Sequence, residues 1–267
     1  MSEFICPVCK QSLRHNEKCY SCAQGHCFDI SKDGYVNLLM SQQSSLKRHG
    51  DDKLMVRARR DFLSAGYYEN LKNTLVNTVS HYVKCGVLVD VGCGEGYYSS
   101  GISQVNNVDF YGIDISKDAL RFASKYVPYG HFAVASAFSL PFKDRSVDCV
   151  LSVFAPSAYK EFHRILKDGG YLIKAVPLSE HLWDLKRALY DEPYKNKPEI
   201  RDDSLFELID FHEIKYVISV NSSEQVQNLF KMTPYYYKTG RQEAENLSQK
   251  SNLSTTVHFG VEVYKKR

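Results

Sequence analysis

Asp90-Val91-Gly92-Cys93-Gly94-Glu95-Gly96-Tyr97 is the stretch on which the fold of this chain turns. It closes a short apolar run, residues 87–91, of the kind that forms a central parallel strand, and it leads into a helix. Glycines at such a turn let the backbone approach a ligand where a Cβ would clash. The dinucleotide fingerprint is GxGxxG, with a pyrophosphate on the helix N-terminus. Here the pattern is GxGxG with an acid inside it. Glu95 repels a pyrophosphate and favours a cation such as the sulfonium and ammonium of S-adenosylmethionine. The next strand runs into Asp114, whose carboxylate can accept hydrogen bonds from both ribose hydroxyls. The bland alternative is that Asp114 only caps the helix opening at Ser116. Asp90, Gly92, Gly94, Glu95, Gly96 and Asp114 are therefore the candidate cofactor residues, with S-adenosylmethionine expected in preference to NAD.

Outward from the loop, strands and helices alternate. Strands are expected at residues 109–113, 131–135, 147–154 and 171–176, with helices near 116–126, 157–166 and 179–190, the rhythm of an open doubly wound sheet. The tail adds a strand at 215–220, a helix at 222–230 and a strand at 256–264 whose period of two predicts antiparallel pairing at an edge. Upstream, Phe62, Leu63, Tyr67, Tyr68, Leu71, Leu75, Val79 and Tyr82 recur at helical spacing across a break at Gly66. Residues 61–267 thus read as an α/β, Rossmann-like class I S-adenosylmethionine-dependent methyltransferase domain. Residues 41–60 are polar and basic, without apolar period until Asp61, and read as an exposed linker.

The first 40 residues are of another kind. Of eight cysteines, Cys6, Cys9, Cys19, Cys22 and Cys27 crowd the N-terminus. Clustered thiols in a reducing compartment bind metal more often than they form disulfides. Cys6-Pro-Val-Cys9 has the spacing of a zinc knuckle, and two sets can close it, Cys6/Cys9/Cys19/Cys22 or Cys6/Cys9/Cys22/His26. Spacing alone does not choose between them. Four protein ligands leave no open position, so one structural zinc is expected, folding a segment too short to build its own core. Residues 27–30 and 34–39 read as two short strands completing a small zinc ribbon.

Composition sets the outer limits. The chain has 267 residues, 43% hydrophobic and 24% charged, and its 34 Lys plus Arg against 31 Asp plus Glu leave a net +3. These are the figures of an ordinary globular protein. No apolar run approaches the roughly 18 residues of a membrane helix, and the N-terminus lacks the layout of a signal peptide, so a cytoplasmic location and no membrane partner are expected. A charge of +3 neither requires nor opposes nucleic acid.

Taken together these motifs resemble the bacterial 23S rRNA guanine-N1-methyltransferases. The resembling segments run through most of the chain: Cys6-Pro-Val-Cys9, Cys22 with His26, Gly34-Tyr35-Val36-Asn37-Leu38-Leu39, Ala58-Arg59-Arg60 with Phe62-Leu63, the glycine loop through Tyr98, Asp114, Leu140-Pro141-Phe142, Ala155-Pro156, His181-Leu182 and Met232-Thr233-Pro234. The resemblance implies methylation of N1 of one guanine in a 23S rRNA hairpin near the peptide exit tunnel, and a homodimer. It also implies Cys6, Cys9, Cys22 and His26 as the zinc ligands, with Cys19 and Cys27 set aside. Tyr68, the Gly94-Glu95 backbone and His181 are implied to line the S-adenosylmethionine pocket. One departure is visible. A member of the family can carry a lysine within two residues of Ala155-Pro156, where this chain has Ser157-Ala158, so an RNA contact by that lysine does not carry over.

Guanine N1 lies on the pairing edge and bears a proton, so the target must be unpaired or flipped out and the proton must leave. Tyr97, Tyr98, Phe154, Tyr235, Tyr236 and Tyr237 are the candidate stacking partners. His181 and Asp184 are the candidate general bases. Lys47, Arg48, Arg57, Arg59 and Arg60 are a local excess of positive charge suited to RNA, or else a solvated helix face. The competing functions are a small-molecule methyltransferase and a non-catalytic RNA-binding factor with a vestigial cofactor fold.

Overall fold

A computed structural model describes residues 2–40, 50–105, 107–198 and 204–267 of the protein. Four short strands come first: β1 (Arg14–His15), β2 (Cys19–Ser21), β3 (Cys27–Asp29) and β4 (Tyr35–Asn37). Helices α1 (Lys53–Ser64) and α2 (Glu69–Tyr82) follow. The alternating part comprises β5 (Cys85–Val91), α3 (Ser99–Ile102), β6 (Asn107–Asp114), α4 (Lys117–Tyr126), β7 (His131–Val134), β8 (Val147–Val153), α5 (Tyr159–Ile165), β9 (Leu166–Pro177) and α6 (Trp183–Leu189). The tail holds β10 (Phe206–Val220), α7 (Ser223–Lys231), a 3-10 turn (Pro234–Tyr237), α8 (Arg241–Ser248) and β11 (Leu253–Lys266).

Eight strands form one sheet in the order β10-β11-β9-β8-β5-β6-β7-β4. The six strands from β9 to β4 run parallel; β11 is antiparallel to β9, and β10, antiparallel to β11, closes the edge in the same direction as the six. From β5 the chain winds one way through β6 and β7, then crosses to β8 on the other side. That reversal leaves a crevice at the C-terminal ends of β5 and β8, where such sheets bind ligands. Central strands are apolar on both faces because helices cover both: Leu88, Val89 and Val91 of β5 are all 0% exposed. Local signals set the helix starts. Asp52 caps α1 through Met55 N–H (3.0 Å), Ser116 caps α4 through Ala119 N–H (3.3 Å), and Ser222 caps α7 through Gln225 N–H (3.1 Å).

Three expectations are revised. The linker placed at 41–60 is helical from Lys53, because Asp52 starts a helix whose buried face is Met55, Val56, Ala58, Phe62 and Leu63. The strand expected at 215–220 begins at Phe206, a reach that the sequence hides because the period of two is broken by apolar Ile209 and Phe211 on the exposed face and by Asp210 and His212 on the inner one. The two strands assigned to the ribbon part company: β3 stays in the three-stranded sheet β1-β2-β3, whereas β4 pairs in parallel with β7 as the edge of the large sheet. The ribbon is therefore docked on the catalytic sheet. Phe4 (0% exposed) packs edge-on against Tyr20 and Tyr111 and touches Phe142, and Ile5 N–H donates to the Pro141 carbonyl (2.9 Å). Among the described residues no helix is long and apolar enough to cross a membrane.

Candidate functional site

Two groupings of side chains stand out. In the ribbon, ligand atoms of Cys6, Cys9, Cys22 and His26 lie within 4.8 Å of one another. Cys6 Sγ to His26 Nδ1 is 3.6 Å, Cys9 Sγ to Cys22 Sγ 3.6 Å, and Cys22 Sγ to His26 Nδ1 3.4 Å. A tetrahedral ion with metal–sulfur bonds of about 2.3 Å has ligand-to-ligand edges of roughly 3.7 Å, so this set fits zinc. Gly25, at φ +82°, makes the turn that brings His26 back to the knuckle. Cys19 and Cys27 lie outside the set, the first half-buried and the second exposed.

The second grouping is a cavity of about 850 Å³ at the topological crevice, near the upper end of small-molecule sites. The glycine loop forms one end. Gly92, at φ +78°, sits where a Cβ would come within 2.4 Å of Ala155 Cβ, and Gly96, at φ +91°, where one would come within 2.9 Å of the α4 backbone at Ala123. Both are required by close packing, one against the β8 exit loop and one against α4. Asp114 holds the loop in place: Gly94 N–H donates to its Oδ2 (2.9 Å) and Ser116 N–H to its Oδ1 (2.8 Å). The cap of α4 is Ser116, so capping that helix is not what Asp114 does, and each of its oxygens keeps a further lone pair.

This end is acidic. Asp51, Glu95 and Asp114 line it with a single guanidinium, Arg59, which is hydrogen-bonded to Asp51 and to the Met232 carbonyl (3.3 Å). Burial raises the pKa of Glu95 while Arg59 opposes the rise, and burial likewise raises that of Asp114 against its two N–H donors. Three carboxylates around one cation suit a positively charged ligand. Tyr68 and Tyr98 also line the cavity, and their buried hydroxyls have no hydrogen-bond partner among the described residues. Orphaned hydroxyls, an acidic wall and a carboxylate at the tip of β6 with lone pairs to spare fit S-adenosylmethionine.

Beyond these carboxylates the lining is largely apolar and aromatic, with Phe138, Phe154, Pro156, Pro177, Tyr194, Pro234 and Tyr235, and it carries Asn196, Thr233 and Lys238 as polar groups. Phe154 adopts φ +55° at the tip of β8 and stands 42% exposed. A non-glycine residue held there costs about 1–3 kcal/mol and marks functional sites. His181 is buried in the lining, its ring stacked on Phe154 and tilted against Phe259.

Several expected roles change. Asp90 does not line the cavity: behind the loop, its Oδ2 accepts from Ser99 Oγ (2.7 Å), and burial, only partly offset by that hydroxyl, brings its pKa to about 7. Gly96 supports the loop from outside. Asp184 points away on the α6 surface, 4.0 Å from Arg187. The Nδ1 of His181 accepts the His258 N–H (3.3 Å), and burial, with Lys186 and His258 nearby, lowers its pKa to about 3. Its ring proton is therefore on Nε2, and His181 is a donor, not a base. Among the aromatic candidates Tyr98, Phe154 and Tyr235 line the cavity, whereas Tyr97 stacks under Lys72, Tyr236 packs on Phe230, and Tyr237 donates to Asp52.

The basic cluster is divided as well. Arg59 turns into the cavity, Arg60 lies over the Phe122 ring, and Arg57 is exposed; Lys47 and Arg48 lie outside the described residues. Where the family can place a lysine, Ser157 takes a hydrogen bond from buried Lys174 Nζ (2.6 Å), which reaches across from β9. Asp51, Tyr194, Asn196 and Lys186 went unread in the sequence. Only the Asp51-Asp52 pair before an apolar helix carried a signal, that of an N-cap.

Sheet, crevice and acidic glycine-loop end define a class I S-adenosylmethionine-dependent methyltransferase carrying an N-terminal zinc ribbon with a Cys3His cluster. Residues 4–47 match the zinc-ribbon family model "RlmA, N-terminal", and residues 89–174 match "Methyltransferase domain". The chain is 32% identical to the Bacillus subtilis protein "Putative 23S rRNA (guanine-N(1)-)-methyltransferase YxjB", over 97% of this chain and 96% of that one. It is 34% identical to the Streptomyces fradiae "23S rRNA (guanine(748)-N(1))-methyltransferase", over 69% of this chain and 66% of that one. Among solved structures, YcgJ of Bacillus subtilis superposes with a TM-score of 0.52 at 17% identity, covering 74% of this chain and 99% of that one; this likeness concerns the fold alone. The chain belongs to the 23S rRNA (guanine-N1-)-methyltransferase family.

Proposed function

We propose that this enzyme methylates N1 of one guanine in a 23S rRNA hairpin near the peptide exit tunnel, in the cytoplasm and as a homodimer. The observation that carries this reading is the cavity lining, which joins carboxylates beside the glycine loop, suited to a cationic donor, with aromatic side chains on which a flat base can stack. S-adenosylmethionine supplies the methyl group as a sulfonium, activated for transfer to a ring nitrogen. Asp114 receives the ribose, the Gly92 and Gly94 backbone lets the cofactor close in, Glu95 faces its positive charge, and Tyr68 and His181 donate from the wall. Asp90 and Gly96 serve the same site from behind the loop. Phe154 and Tyr235 flank the guanine. One structural zinc on Cys6, Cys9, Cys22 and His26 folds the module of residues 1–40, which docks on the catalytic domain of 61–267.

The test is to incubate unmodified ribosomal RNA with the protein and labelled S-adenosylmethionine and to map reverse-transcriptase stops. An N1-methyl blocks pairing, so one strong stop in the exit-tunnel hairpin is expected. Label transferred only to small molecules would sink the reading.

A further inference from the structure

A buried cation stands behind the wall that Tyr194, Asn196 and Tyr235 present to the cavity. Lys186, on α6, is 0% exposed. Its Nζ donates to the Tyr194 carbonyl (3.1 Å) and to Asn196 Oδ1 (2.6 Å), and lies 4.9 Å from the centre of the Tyr194 ring and 5.6 Å from that of Tyr235. Tyr194, Asn196 and Tyr235 all line the cavity. Two oxygen acceptors and two ring faces are the surroundings of a protonated amine, which has only donors to offer. Burial lowers its pKa, whereas the two oxygen acceptors and the ring faces are contacts that a charged amine makes best.

Among the described residues no acid is bonded to this amine, and Asp191 and Glu192, on the segment that folds over it, are exposed to solvent. On α6, Asp184 faces Arg187. Ahead of the helix, Glu180 lies 3.0 Å from Lys215, and His181 is neutral. On β11, which packs under α6, His258 is bonded to Glu213 of β10 (2.7 Å). On α8, the other neighbour, Arg241 is joined to Glu245 (2.8 Å), and Glu243 lies over Gly240. The three cavity carboxylates gather around the glycine loop with Arg59. A buried ammonium without a counter-charge is costly, and here its field falls on the space assigned to the guanine.

We propose that Lys186 is the electrostatic positioning residue of the methyl transfer: it fixes the 194–196 wall and stabilises the guanine as its N1-deprotonated anion, so that no general base is needed. The N1–H bond breaks to water, the pair left on N1 takes up the methyl group, and the carbon–sulfur pair stays with sulfur. Asn196, bonded through Oδ1 to Lys186 and through Nδ2 to the Leu178 carbonyl (2.9 Å), is held rigid by the same contact. The inference rests on the methyltransferase reading of this cavity.

Single-turnover methylation of the hairpin, measured from pH 6 to 10, tests it. In the wild type the rate rises with pH to a plateau as the bound guanine ionises. In Lys186→Met the rise should move to higher pH by about one unit or more, with a loss of about tenfold at neutral pH that recovers in alkali. Lys186→Arg, which keeps the charge, should retain the wild-type midpoint, and S-adenosylmethionine affinity should be unchanged in both. An equal loss at every pH would make Lys186 merely structural, and a loss shared by Lys186→Arg without alkaline recovery would make it the base; either overturns the inference. A second measurement needs no variant. With 8-azaguanine at the target position, its fluorescence in the wild-type complex with S-adenosylhomocysteine should report ionisation at lower pH than in the free hairpin, and an unchanged or higher midpoint overturns the proposal. If the wild type methylates no rRNA at all, it is the underlying functional reading that fails.

Discussion

At the scale of single residues, two acids of one motif perform different tasks although they look alike in sequence. Asp114 accepts from Gly94 and Ser116 and still faces the cavity. Asp114→Ala should therefore weaken S-adenosylmethionine binding by at least about tenfold, or 1.4 kcal/mol, in calorimetric titration; an unchanged Kd would leave it a loop brace only. Asp90 has a titration of its own. Its folded-state pKa is about 7, above the ordinary carboxylate value of about 3.9. The unfolded chain thus gives up the proton first. Stability attributable to Asp90 is full below about pH 4, falls as pH rises to about 7, and is level beyond, a loss on the order of 2–4 kcal/mol. Urea midpoints at pH 5 and pH 7.5 should show this decline in the wild type and a smaller one in Asp90→Asn, whose amide cannot ionise. Equal declines would assign the pH dependence to other groups.

At the scale of elements, the ribbon is held by more than its metal. β4 hydrogen-bonds along β7, Leu38 N–H continues that ladder to the Val134 carbonyl (3.0 Å), and Phe4 fills a ring cluster with Tyr20, Tyr111 and Phe142. Phe4→Ala should cost about 3–5 kcal/mol in urea unfolding, as large-to-small changes in a packed core do; a loss below about 1 kcal/mol would mean that the ribbon is only loosely docked. A strong chelator acts at the other end of the module. Removing zinc should loosen β1, β2 and β3 and weaken rRNA methylation while S-adenosylmethionine binding stays nearly intact, because Gly92, Glu95 and Asp114 are anchored by β5 and β6. Parallel loss of cofactor binding would argue against that division of labour.

At the scale of the whole molecule, what was legible in the sequence follows from what is local. The glycine loop, the acid at the tip of β6 and the CxxC spacing are short-range patterns, and each stands where it was expected; the period of two in β11 correctly marks antiparallel pairing, but β11 is covered on both sides and β10 is the edge. What sequence distance hides was not legible. Arg59 reads as one arginine among several, yet the fold carries α1 against α7 and turns that guanidinium toward Asp51 and Met232. Lys186 reads as one polar residue on an amphipathic helix, yet the 194–196 segment folds over it. The same reassembly moves the expected RNA contacts. With Arg59 drawn inside, exposed Lys238, which lines the cavity just after the aromatic Tyr235, is the candidate among the described residues for a contact to an RNA phosphate. Lys238→Gln should weaken hairpin binding most at low salt and reduce the slope of log affinity against log salt by about 0.7–0.9, the share of one phosphate contact. Cofactor affinity should not move. Arg57→Gln, on the exposed face of α1, offers the comparison: if it alone lowers the slope, the RNA runs along the α1 face, and if Lys238→Gln does, the RNA crosses the mouth of the cavity.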